Sequence, residues 1–210
     1  MRPIISITDL KFQNILGYPQ IQILPGKITF LSGESGCGKS TLLKLLNGTL
    51  TPSGGTIEYD GNNISDIDTI RLRSEVLLAS QEVYLFDGTI KENFEQYYNF
   101  RDTSCIEEES MQKFLLLCCA DFPLDTKCEL MSGGERQRIF IAINLSFMPK
   151  VLLLDEPTAA LDDTTAIRLF AQLKDFCLLK GMTLIIVCHN EKLVEKFADH
   201  RIVLEKKVKS

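Results

Sequence analysis

The stretch Ile28-Thr29-Phe30-Leu31-Ser32-Gly33-Glu34-Ser35-Gly36-Cys37-Gly38-Lys39-Ser40-Thr41-Leu42-Leu43-Lys44-Leu45-Leu46 decides the fold. Its middle, from Gly33 to Ser40, fits the spacing Gly-x-x-x-x-Gly-Lys-[Ser/Thr] of a phosphate-binding loop. Gly33, Gly36 and Gly38 let the backbone turn tightly and aim several N–H groups at one anion. An apolar strand-like run (Ile28 to Leu31) precedes the loop and an apolar helix-like run (Leu42 to Leu46) follows it. That context matters, because the N-terminus of the second run adds its positive dipole end to the cradle. In such a loop Lys39 reaches the β- and γ-phosphates and the Ser40 hydroxyl turns to Mg²⁺. Glu34, Ser35, Cys37 and Thr41 complete the segment that would wrap the nucleotide.

A phosphate loop needs an acid to hold the metal. Val151-Leu152-Leu153-Leu154-Asp155-Glu156 is an apolar run suited to a strand buried on both faces, and it ends in two carboxylates. Asp155 at the strand end would hold Mg²⁺, and Glu156 would point at an attacking water as base or orienting group. Acids beyond a buried strand are common by themselves; pairing with Lys39 gives these two their meaning.

Composition agrees with one compact enzyme domain. At 210 residues the chain is about 1.4 times the usual domain size, so one domain with an elaboration is expected. A net charge of −5 gives no basic face and argues against a nucleic-acid partner. No apolar stretch approaches the roughly 18 residues of a membrane span. Thr8, Asp9 and Lys11 interrupt the apolar start, so no signal peptide is expected. The seven cysteines show no Cys-x-x-Cys or zinc spacing; Cys118-Cys119 read as core and Cys37 as a small filler of the loop. Glu107-Glu108-Glu109 reads as a solvated helix face, and Lys206-Lys207-Val208-Lys209 as a plain solvated end, with contact to anionic lipid the alternative.

The fold class expected from the pattern is α/β, in three zones. Residues 4 to about 80 are rich in short strands: Ile5-Leu10, Gln20-Leu24, Lys27-Leu31, Thr56-Tyr59 and Glu75-Ala79. One helix, about Ser40 to Asn47, interrupts them, with Gly48 closing it. Residues 84 to 148 read as helical, without a convincing strand. Residues 150 to 205 alternate strand, helix, strand, helix, strand. In the helix from about Thr164 to Lys180, the spacing predicts one face made of Ile167, Phe170, Ala171, Lys174 and Cys177. The core is therefore expected over 1–83 and 149–210, with a helical insertion over about 84–148.

Ser132-Gly133-Gly134-Glu135 ends that insertion. Locally it is a capping box opening an apolar helix that runs to about Met148. A cap does not explain two consecutive glycines, which weaken a first turn unless something approaches the backbone closely. A helix N-terminus with free N–H groups and a Ser hydroxyl is a second anion site.

Taken in order, these segments resemble the nucleotide-binding subunits of ABC transporters, over nearly the whole chain. The Walker A loop is Gly33 to Thr41, and the Walker B strand is Val151 to Asp155 with Glu156 as the catalytic carboxylate. The signature loop is Met131 to Glu135, with Met and Glu where Leu and Gln are usual. Gln81 matches the Q-loop glutamine, Ala159-Ala160-Leu161-Asp162 the D-loop, and His189 the switch histidine. The resemblance implies a P-loop core with a mixed sheet and flanking helices, an antiparallel β subdomain and an inserted helical one. It implies ATP and Mg²⁺ as cofactors, with Ser40, Gln81 and Asp155 at the metal. It also implies a head-to-tail dimer, in which Ser132 and Gly134 contact the γ-phosphate held by the opposite chain, with Gly133 and Asp162 also at the nucleotide. His189 would hold that phosphate and position the water with Glu156. Phe12 is the candidate to stack on adenine, with Tyr18 the alternative.

Val83 to Asn93 is similar to a run common in exporter ATPases, and Asn144 to Lys150 to small bacterial subunits assigned to iron or metal export. An integral-membrane permease is then the expected partner, placing the chain on the cytoplasmic face of the membrane. Two other readings remain: a soluble ABC ATPase acting on ribosomes or nucleic acid, and a regulatory module that binds nucleotide without hydrolysis. The first usually carries two ATPase halves or coiled-coil arms, which are missing here; intact Glu156 and His189 oppose the second.

Overall fold

A computed structural model describes residues 2–13 and 15–205, so the basic tail read above lies outside the described residues. The strands are β1 (Ile5–Phe12), β2 (Leu16–Gly17), β3 (Ile21–Ile23), β4 (Ile28–Gly33), β5 (Gly54–Tyr59), β6 (Asn62–Asn63), β7 (Val76–Ala79), β8 (Val151–Asp155), β9 (Thr183–Val187) and β10 (His200–Leu204). The helices are α1 (Lys39–Leu46), α2 (Thr69–Glu75), α3 (Ile90–Asn99), α4 (Glu108–Leu117), α5 (Gly133–Ser146), α6 (Asp163–Lys180) and α7 (Glu191–Phe197). Two sheets result. One is antiparallel, in the order β2-β1-β5-β6 with β3 also on β1; the other is parallel, in the order β10-β4-β9-β8-β7.

Alternation along each parallel strand sends neighbours to opposite faces. Leu31, Leu153, Ile185 and Val187 join α1 and the antiparallel sheet in one core with Ile5, Ile7 and Ile57. Phe30, Leu152, Leu154, Leu184 and Ile186 join the helical side in the other, with Phe94, Leu115, Ile139, Leu169 and Phe170. Strands β8 and β9 are buried at every position, which is why their sequences read as unbroken apolar runs.

β1 carries a bulge that its sequence half reveals. Ile5 and Ile7 face inward, and strict alternation would then bury Asp9. Instead Asp9 takes a left-handed φ of 50° and the register with β5 shifts between Thr8 and Lys11, so Leu10 turns inward. Gly55 makes the room: a Cβ there would lie 2.3 Å from the Asp9 carbonyl oxygen.

Three expectations need correction. Residues 69–75 form a helix, α2, where only strands were anticipated, and β7 begins at Val76 rather than Glu75. Leu72 is its one buried side chain and Ile70 is exposed, so no apolar period marks it; the Asp68 side chain caps it by accepting from the Arg71 N–H. On α6 the buried face is Ala166, Leu169, Phe170, Leu173 and Cys177, and Ile167 points outward, because the sheet meets the helix about one residue round from the predicted stripe. Finally, Cys118 is fully buried but Cys119 is half-buried at a φ of 57°, with its thiol 3.0 Å from the Gln172 side-chain oxygen.

Glu75 ties the two sheets together. Its carboxylate accepts from the Tyr59 hydroxyl at 2.8 Å, pairs with Lys150 at 3.0 Å and is met by Arg71 at 3.2 Å. Partial burial alone would raise the carboxyl, but the bonds from Lys150, Tyr59 and Arg71 prevail and hold it down at about 2. The folded value lies below the unfolded 4.5, so the unfolded chain binds more protons in between. This contribution is complete above pH 4.5 and is lost as pH falls toward 2. Urea midpoints at pH 7 and pH 3 should show Glu75→Gln costing clearly more at pH 7; an equal loss at both would contradict the assignment.

Candidate functional site

Parallel pairing brings four strand ends level. Leu31 of β4 and Asp155 of β8 both pair with Val187 of β9, and Ala79 of β7 pairs with Leu154. The phosphate loop, Glu156, His189 and Gln81 each follow one of these ends within two residues, as expected for a site outside the carboxyl edge of an open α/β sheet.

The loop is built from glycines with separate jobs. Gly33 has φ 144°, and a Cβ there would meet the Leu204 carbonyl oxygen at 2.3 Å and the Cys37 sulfur at 2.9 Å. Cys37 is buried, in keeping with a filler role. Gly38 has φ 98° and rests on Tyr18, whose hydroxyl donates to the Gly38 carbonyl at 3.0 Å. Tyr18 is thereby buried as a brace beneath the loop, while Phe12 at the end of β1 is half-buried.

Lys39, only 5% exposed, donates to the carbonyls of Gly33 and Glu34 at 2.9 Å each. Among the described residues no carboxylate lies within 4.0 Å of its ammonium. A buried cation without a counter-charge is costly unless an anion joins it. The Ser40 hydroxyl donates to Asp155 at 3.1 Å. Burial pushes the Asp155 carboxyl above its ordinary range, the Ser40 bond opposes this, and the Glu156 charge adds to the rise. Hard oxygen donors around a buried acid whose ionised form is disfavoured fit a divalent cation such as Mg²⁺.

Glu156 is held from four sides. Its N–H donates to the Val187 carbonyl at 3.1 Å, and its own carbonyl accepts from the Gln137 side chain at 3.0 Å. One carboxylate oxygen accepts from Gln81 at 3.1 Å; the other lies 3.0 Å from His189 Nε2. Its backbone is left-handed, φ 51°, which is uncommon for a residue with a side chain. The three residues singled out from the ends of β7, β8 and β9 thus meet in one cluster.

At the start of α5 the capping box forms as read: the Ser132 hydroxyl accepts from the Glu135 N–H, and the Glu135 carboxylate accepts from the Ser132 N–H at 2.8 Å. The two glycines differ. A Cβ on Gly134 would lie 2.6 Å from the Ala160 carbonyl oxygen, whereas one on Gly133 meets nothing within 4 Å. Ser132 and Gly133 are exposed. Asp162 caps α6, accepting from the Thr165 N–H at 2.9 Å and hydroxyl at 2.7 Å.

Sequence reading missed Arg136 and Gln137. Arg136 donates to the carbonyls of Cys128 at 2.7 Å and Leu85 at 3.4 Å, while Gln137 is buried against Glu156. Gln137 stands at helical spacing from buried Gly134 and Ile141, a polar residue on an interior face, and that was the available signal. Beyond Gln81, Tyr84 and Phe100 are exposed and join Phe86 and Tyr97 in an aromatic cluster.

Fold and site define an ABC-type ATPase cassette, and comparison with known proteins agrees. The profile of the ABC transporter family matches residues 18–159. The chain is 32% identical to the probable iron export ATP-binding protein FetA of Escherichia coli, over 94% of this chain and 86% of that one. It is 36% identical to the energy-coupling factor transporter ATP-binding protein EcfA2 of Clostridium perfringens, over 87% and 67%. In structure it is similar to cbiO1 of Clostridium perfringens, part of the transporter complex cbiONQ (TM-score 0.85, 27% identity, 98% of this chain and 86% of that chain). It also matches a dimeric bacterial ABC transporter cassette (TM-score 0.84, 25% identity, 96% and 94%). The chain belongs to the ABC transporter family, as one of its ATP-binding ATPases.

The glycine pair offers a direct test of this geometry. Gly134→Ala should destabilise the chain by about 1–3 kcal/mol through overpacking against Ala160. Gly133→Ala, in open space on a helix, should leave stability equal or raise it by up to about 1 kcal/mol. Urea denaturation of both variants decides; equal losses would show that the two positions are not distinct.

Proposed function

We propose that this chain is the energising subunit of a membrane exporter, working as an ATP-sandwich dimer. The observation that carries the reading is the cluster itself: a buried Lys39 with no counter-charge among the described residues, Ser40 on Asp155, and Glu156 bound to both Gln81 and His189. In this scheme residues Gly33 to Thr41 wrap the ATP phosphates, and Phe12 lies against the base. Ser40, Asp155 and Gln81 would hold Mg²⁺, which when bound neutralises phosphate charge. Glu156 draws a proton from the attacking water, and His189 leaves its carboxylate contact to orient the γ-phosphate. Ser132 and Gly134 contact the ATP of a second copy, with exposed Gly133 in open space between them and Asp162 at the same boundary.

The helical unit of about 84–148 is then the side that meets a permease, and the core, 1–83 and 149–210, the side that binds nucleotide. The exposed Tyr84 and Phe100 offer the apolar surface. No described helix is long and apolar enough to cross a membrane; in this reading the permease holds the chain at the cytoplasmic face. Export is supported by the Val83 to Asn93 run, by FetA, and by similarity to an Atm1-family ABC exporter with ATP bound (TM-score 0.87, 26% identity, 98% of this chain and 38% of that one). One relative is named for phosphonates import, so direction is the finest part of the proposal.

Glu156→Gln should keep ATP binding, stop turnover and accumulate a dimer visible by light scattering. A variant that hydrolyses ATP at the wild-type rate would refute the role given to Glu156. Gentle detergent extraction from native membranes should co-purify a multi-span protein in stoichiometric amount, identified by mass spectrometry. Recovery with ribosomes or DNA-repair proteins from the soluble fraction would instead favour the soluble-factor reading.

A further inference from the structure

Helix α5 does two things at one end. Its first residues form the exposed turn of Ser132 and Gly133, and one turn further on Gln137 is buried and donates to the Glu156 carbonyl at 3.0 Å. Gly134, between them, lies so close to Ala160 that a Cβ would come within 2.6 Å of its carbonyl oxygen. The turn and the segment from Glu156 to Leu161 are therefore locked side by side, by one hydrogen bond and one backbone contact. Glu156 needs such holding, since its φ of 51° is unfavourable for a side-chain-bearing residue. Its N–H is fixed by β9 through Val187, so Gln137 supplies the other half of the grip.

Resting on the sandwich dimer proposed above, this contact has a consequence for two sites rather than one. The Ser132 turn of a chain serves the ATP held by its partner, whereas Glu156 of that chain serves its own. We propose that Gln137 is a positioning residue that couples the two ATP sites: seating of the signature turn on one nucleotide sets, through Gln137, the backbone of the carboxylate that acts on the other. A helix displaced by a few tenths of an ångström carries the amide with it, and hydrolysis is sensitive to misplacement of the water-orienting group. Hydrolysis is then cooperative in ATP because half of each site's alignment is provided by occupancy of the other.

The test is Gln137→Met, which keeps length and apolar bulk but removes the donor, with Gln137→Asn as a second variant that retracts the amide by one methylene. Turnover against ATP concentration and affinity for a fluorescent ATP analogue are measured on the purified chain, reconstituted with its membrane subunit if turnover requires one. Amide exchange across 151–161 is followed on the chain without nucleotide. Expected are a maximal rate lowered at least about tenfold, a Hill coefficient falling from about 2 toward 1, and analogue affinity within about twofold of wild type. Exchange should quicken at 156–161 and stay unchanged in β8. Wild-type turnover and Hill coefficient in a variant, or unchanged exchange at 156–161, overturns the proposal and leaves the ATPase reading intact. If Gln137→Met does not fold, Gln137→Asn is judged by the same criteria. A wild-type chain that neither binds nor hydrolyses ATP overturns the proposed function instead, and a wild-type Hill coefficient of 1 with normal turnover overturns only the coupling.

Discussion

Parallel pairing of four consecutive strands in space, β4, β9, β8 and β7, is the constraint on which the rest depends. These strands come from positions 28, 183, 151 and 76 onward, so nothing local in the chain relates them. Register does. With Val187 opposite both Leu31 and Asp155, the residues that leave β4, β8 and β9 emerge at one level and on one edge. A shift of one residue would exchange the faces of the strand and send Asp155 away from Ser40. That register is secured by ordinary burial: Leu31, Leu153, Ile185 and Val187 fill one core, Phe30, Leu152, Leu154 and Ile186 the other. Site geometry is thus a by-product of packing Leu and Ile correctly on two faces.

Upon this scaffold the site holds two unfavourable arrangements. Lys39 is a buried ammonium met by carbonyls rather than an acid, and Asp155 is a buried carboxyl whose ionised form is disfavoured. Each is relieved by the opposite partner, phosphate for the lysine and a divalent cation for the aspartate. The large apolar core tolerates the cost. A site already carrying both charges in place gains more from a nucleotide than a flexible surface would, since little ordering remains to be done.

Local chemistry was legible wherever the chain itself supplies the signal. Gly33 to Thr41, the run Val151 to Glu156 and the Ser132 cap all declare a backbone conformation within a few residues, and all three formed as read. Helix α2 was silent because one buried leucine cannot make a period, and the β1 bulge was only half legible because Asp9 gains its meaning from Gly55 across the sheet. The stripe on α6 was misplaced for a related reason: periodicity gives the width of an apolar face, while the contacting sheet chooses which edge of it is buried. Gln137 stands one turn into α5 as a buried polar residue, which marks the position but not its partner. Its partner is a backbone carbonyl nineteen positions away, and backbone partners leave no trace in side-chain patterning.

Gln137 and its neighbour Arg136 also show how one helix can address two regions at once. Successive residues of an α-helix point about 100° apart. From a single turn, Arg136 reaches the Leu85 and Cys128 carbonyls beside the aromatic cluster, while Gln137 reaches Glu156. Gln81, four residues before Leu85, is bound to the same Glu156. The aromatic cluster and the carboxylate are therefore joined twice, through α5 and through the loop after β7. A rigid displacement of α5 cannot alter one contact without straining the other, because the helix interior does not stretch to absorb it. Tyr84 and Phe86 flank Leu85, so the aromatic cluster lies on a closed path of hydrogen bonds and short chain segments that includes Glu156.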